Sequence, residues 1–156
     1  MKKLLLTISS MILILSSCNN GKKENQTTKH DTHKTTPVNS VFNNKWMDTI
    51  QLDNGSKWLA NMETTKAVQQ MKDILKTLPT NTLDEFQNLA LELSQAKNQV
   101  IKECTMKGPS HDNLHVWLLP LMEKIDALTE TKTLEEAKLI KDRIAENVHA
   151  YDIYFK

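Results

Sequence analysis

The chain has 156 residues, of which 25% are charged and 5% aromatic, with a formal net charge of +1 and three glycines. That length allows one domain around one core. The near-neutral charge excludes the basic footprint of a nucleic-acid binder, and two cysteines exclude a disulfide-built scaffold.

Lys2 and Lys3 open the chain, and a mostly apolar stretch from Leu4 to Leu15 follows. The stretch is too short for a comfortable transmembrane helix and suits a signal peptide over residues 1–17. It ends in Leu15-Ser16-Ser17-Cys18. That tetrad resembles the lipobox of bacterial lipoprotein signal peptides, in which a small residue precedes a cysteine that is lipidated and becomes the mature N-terminus. The resemblance implies that Cys18 is acylated. It also implies that the protein sits in the bacterial cell envelope on a lipid anchor, the outer membrane favoured, with its domain in the periplasm or at the cell surface. Several acyl chains make a durable anchor, at about 0.8 kcal/mol per buried methylene. An ordinary secretory signal with a chance cysteine is the alternative.

Residues 18–45 are rich in Asn, Lys and Thr and lack an apolar period, as a disordered tether does. Five Lys oppose two acids over residues 19–45, whereas thirteen Lys/Arg oppose seventeen Asp/Glu over residues 46–156. A mildly acidic domain therefore hangs on a mildly basic tether, which suits anionic headgroups. His30 and His33 form an HxxH pair within it, a weak metal spacing or two solvated histidines.

The segment from Trp46 to Gly55 reads as an ordered strap, closed by the turn signal Asn54-Gly55. Four helices are then predicted. The first spans 57–77 on the stripe Val68, Met71, Leu75 and Leu78. Leu78-Pro79 stops it, and Asn81 or Thr82 caps the second, 83–104, whose stripe is Leu83, Phe86, Ala90, Leu93, Val100 and Cys104. The third spans 111–129 with Ser110 as N-cap, on His111, Leu114, Leu118, Leu121, Ile125 and Leu128. The fourth spans 134–155, with Thr133 and Glu136 as a capping box and Ala137, Ile140, Ile144, Val148, Tyr151 and Phe155 inward. One apolar face per helix and short links predict an all-α, antiparallel up-down-up-down four-helix bundle over residues 46–156.

The second turn carries the chemistry. With Cys18 acylated, Cys104 has no intramolecular partner. The link through Gly108-Pro109 brings Cys104 toward His111, and His115 lies one turn further on the same helix face. Met106, in the link, can reach the same point. Thiolate, thioether and imidazole together select copper(I) or zinc. Each residue also has a plain reading: a small buried thiol, imidazoles bonded to loop carbonyls, a methionine filling space. Pro120 is expected to bend the third helix beside Trp117.

Two weaker candidate sets accompany this one. Trp58 and Met62 form an i,i+4 pair that resembles the Trp and Met ligands of periplasmic copper chaperones, although those are β-barrels. Met62 and His149 occupy the helix-one and helix-four places at which small four-helix b-type cytochromes ligate haem. Both residues lie off the core stripes and CxxCH is absent, which argues against haem.

The pattern from NGSKW through CTMKGPSHDNLHVWLLPLM resembles small envelope lipoproteins built as four-helix bundles and linked to heavy-metal handling. The resemblance rests on Cys104, Met106, Gly108, His111, His115, Trp117 and Pro120 and implies a metal-binding role without catalysis. No glycine loop for nucleotides, no GxSxG elbow and no nucleophile-base pairing argues for an enzyme. The expectation is a lipid-anchored bundle that sequesters, senses or delivers copper or zinc. The alternative is a metal-free lipoprotein that presents its helical surface to an envelope partner.

Overall fold

The computed structural model describes residues 40–156. The signal-peptide stretch, the lipobox with Cys18, and His30 and His33 lie outside the described residues. A 3-10 turn, Lys45–Asp48, precedes four helices: α1 (Met62–Thr77), α2 (Leu83–Glu103), α3 (Pro109–Glu130) and α4 (Leu134–Tyr154). Among the described residues there is no β-strand, only two isolated bridges. No described helix is long and apolar enough to cross a membrane.

The helices form where apolar period and caps agree. At the start of α2, Thr82 Oγ1 accepts from the Glu85 amide and the Glu85 carboxylate accepts from the Thr82 amide, a complete capping box. At α4 the Thr133 hydroxyl accepts from the Glu136 amide, but the Glu136 carboxylate takes the Thr131 hydroxyl instead of closing the box. The links 78–82, 104–108 and 131–133 are short, so successive helices run antiparallel. Each packs on the next, α1 closes the ring against α4, and α2 approaches α4 across the diagonal. Met71, Phe86, Leu93, Leu121, Ile125 and Ile144 are fully buried between them. Each such side chain contributes about 1.5–3 kcal/mol. The four-helix bundle expected from the stripes is the fold.

The strap differs from expectation. Residues 57–61 do not start α1. Trp58 instead bridges Phe155, donating its amide to the Tyr154 carbonyl (2.8 Å) and accepting from the Lys156 amide (2.9 Å), and Ala60 donates to Lys156 (3.0 Å). Pairing with the end of the chain outweighs the modest helix propensity of Lys57-Trp58-Leu59-Ala60. The turn at Asn54-Gly55 is as expected: both residues have positive φ (48° and 85°), and Asp53 and Ser56 exchange backbone hydrogen bonds across it. The strap also begins before Trp46. Phe42 packs on the core, Ser40 bonds Glu123, and Asn44 Nδ2 donates to the Arg143 carbonyl and the Glu146 carboxylate.

A buried polar cluster joins α3 to α4. Trp117 Nε1 donates to the Asn147 carbonyl (2.8 Å), and Asn147 Nδ2 returns a bond to the Trp117 carbonyl (3.2 Å). Asn147 Oδ1 accepts from Lys124 Nζ (3.0 Å), whose side chain is wholly buried. Burial pushes the Lys124 ammonium down to about 8, against the opposing pull of the Glu123 and Glu146 carboxylates. The α3 helix runs through Pro120 without a break.

Candidate metal centre

The end of α2 sets the first donor. Cys104 leaves the helix with extended backbone (φ −67°, ψ 120°) and packs, partly buried, against the core. Asn61 organises this end. Its Nδ2 donates to the Glu103 carbonyl (3.0 Å), one of the acceptors that a helix end leaves without an intrahelical partner. Its Oδ1 accepts from the Thr64 hydroxyl (2.8 Å). The thiol side of the turn also comes within electrostatic range of α4. Burial raises the Tyr151 phenol, a hydrogen bond with Thr65 opposes that, and Asp152 and Cys104 add smaller upward pushes.

Gly108 then turns the chain. Its backbone (φ 61°, ψ −148°) is a conformation in which a Cβ is strained. Pro109 opens α3 at its first position, where its missing N–H costs nothing. The expected N-cap Ser110 therefore lies inside the helix, and its hydroxyl donates to the Lys107 carbonyl. Asn113 Nδ2 bonds the Pro109 carbonyl and its Oδ1 accepts from the Gln51 amide, which ties the strap to this first turn.

His111 and His115 stand one turn apart on α3 with ring centroids separated by 4.4 Å and planes inclined by 50°. They line, with Cys104, one pocket of about 230 Å³ between α2 and α3. Its walls are Val100, Ile101, Leu114, Leu118, Leu119 and Met122. A thiol and two imidazoles thus share an otherwise apolar hollow. His115 is exposed, and His111 is half-buried with Nδ1 4.0 Å from the Asp112 carboxylate. Among the described residues, no three Cys, His, Asp or Glu side chains are gathered into a group that could hold an ion.

Met106 is not a wall of this pocket; it packs against the core from the link. The thioether in the pocket is Met122, which sequence reasoning missed. It lies seven residues beyond His115, about 10 Å along the helix axis, and therefore serves as wall rather than as a shared ligand. Its spacing of eleven residues from His111, about three turns, was the available signal.

The weaker sets are not assembled. Trp58 lies on the extended strap, so the helical i,i+4 relation to Met62 is lost; its indole donates to the Gln51 carbonyl (2.7 Å). Met62 is 63% exposed at the start of α1. His149 is exposed, with Nδ1 2.7 Å from the Ala145 carbonyl, and lines a groove that Met62 does not share.

No protein-family model, curated protein or solved structure matches the chain. The metal reading therefore stands on the pocket residues themselves.

Proposed function

We propose that the protein is a lipid-anchored envelope bundle that holds one soft metal ion, copper(I) before zinc, for sequestration, sensing or delivery. The observation that carries this reading is the placement of Cys104, His111 and His115 around one apolar-walled pocket. The three donors do not converge as they stand, so loading requires side-chain rotation. His115 is exposed, and exposed side chains change rotamer on the picosecond-to-nanosecond scale. Thiolate and imidazole are the donors that soft and borderline ions select, and aliphatic walls limit competing water. Acylation at Cys18 would hold the domain at a membrane.

Native mass spectrometry of the mature chain after loading with copper(I) or zinc tests the reading. One ion per chain is expected, lost in Cys104→Ala and in His115→Ala. A chain that retains no ion overturns it.

A second reading rests on the pocket rim, where Ile101 and Leu119 are about half exposed (50% and 52%). There the hollow receives an apolar side chain of an envelope partner and Cys104 is inert. Slow thiol labelling of Cys104 that metal leaves unchanged favours this reading.

A further inference from the structure

A second surface lies at the same end of the bundle, on the strap. Lys57, Lys107 and Lys156 converge around a shallow depression of about 340 Å³ that Trp58 and Leu59 also line. Leu59 is 73% exposed, the most exposed large apolar side chain of the described residues. Asp53 is the one carboxylate residue on this lining. Its carboxylate accepts from Asn54 Nδ2. Among the described residues, no carboxylate forms an ion pair with any of the three lysines.

We propose that this face docks on an anionic phospholipid surface, with Leu59 entering the headgroup region and the three ammonium groups meeting phosphates. An exposed aliphatic side chain among three lysines that outnumber the one acidic side chain of the lining is an arrangement that binds such surfaces. The choice of a membrane over a soluble acidic partner rests on the anchor reading above. Between Cys18 and the first described residue, Ser40, lie 21 residues. That length spans at most about 70 Å, so the face can return to the bilayer. Tethering raises the local concentration of the surface to the order of millimolar, at which weak contacts suffice. Docking would also set which side of the bundle, and so which approach to the Cys104 pocket, is left open to the compartment.

Tryptophan fluorescence tests this with the full lipidated chain in vesicles that carry brominated acyl chains. Trp117 is fully buried and Trp46 is 8% exposed, so Trp58 is the tryptophan within reach of the bilayer. Quenching is expected in phosphatidylglycerol vesicles and not in phosphatidylcholine vesicles. It should be lost at high salt, in Trp58→Phe, and in the triple variant Lys57→Glu, Lys107→Glu, Lys156→Glu, while Leu59→Ser weakens it. Flotation with phosphatidylcholine vesicles reports the anchor separately. Flotation without Trp58 quenching in anionic vesicles overturns the docking and leaves the anchor standing. A chain that fails to float on neutral vesicles overturns the anchor, and Trp58 quenching in anionic vesicles still decides the docking. Equal quenching on neutral and anionic vesicles overturns the charge-based docking.

Discussion

Replacing Lys124 by methionine separates the cost of a buried charge from everything else in the bundle. Lys124 is wholly buried, bonds Asn147 Oδ1 and the Pro120 carbonyl, and has an ammonium lowered from 10.5 to about 8. The folded state thus releases its proton more easily than the unfolded state. Between about pH 8 and pH 10.5 the unfolded chain binds more protons at this site, so its contribution to stability rises with pH across that window and is flat below it. At about 1.4 kcal/mol per unit, the shift corresponds to about 3 kcal/mol held against folding at pH 7. Lys124→Met removes that penalty and leaves Asn147 Oδ1 without its donor, a loss of about 1–3 kcal/mol. Urea unfolding of both proteins from pH 7 to pH 10.5 reads the difference. The advantage of methionine relative to the wild type should shrink by about 3 kcal/mol over the range, because the other lysines titrate alike in both chains. A difference that stays constant with pH refutes the reasoning.

Gly108→Ala places a Cβ at φ 61° with open space around it, so its cost is backbone strain alone, about 1–3 kcal/mol in urea unfolding. Because this residue launches α3 toward the pocket, metal retention should fall with it. Thr82→Ala removes the hydroxyl of the α2 capping box and should lower stability by about 1 kcal/mol, with metal retention unchanged because that cap lies at the other end of α2 from Cys104.

The bundle was legible because its period and its punctuation agree. Phe86, Leu93, Leu121, Ile144 and Tyr151 recur at helical spacing and are all buried, and Thr82 and Thr133 cap where a Ser/Thr precedes an acidic residue by three. The start of α1 was not legible, because Lys57 to Ala60 suit a helix and are overridden by partners near residue 155 that only the fold brings near. The N-cap of α3 was misplaced for a local reason. Ser110 has the chemistry of a cap, but Pro109 fits the first helical position, which leaves the cap to Gly108. Phe42 fell in a stretch whose polar composition hid it, although it precedes Trp46 by four residues and both pack on the core. At the pocket, the turn geometry conveyed Cys104, His111 and His115 to one hollow. The choice between Met106 and Met122 needed helix phase rather than proximity along the chain.

X-ray absorption at the copper edge, on the full chain loaded with copper(I), addresses the pocket atoms themselves. A first shell of one sulfur together with imidazole nitrogen is the predicted result, with the sulfur absent in Cys104→Ser. Copper surrounded by oxygen alone, or a sulfur signal that persists in Cys104→Ser and disappears in Met106→Leu, contradicts the assignment.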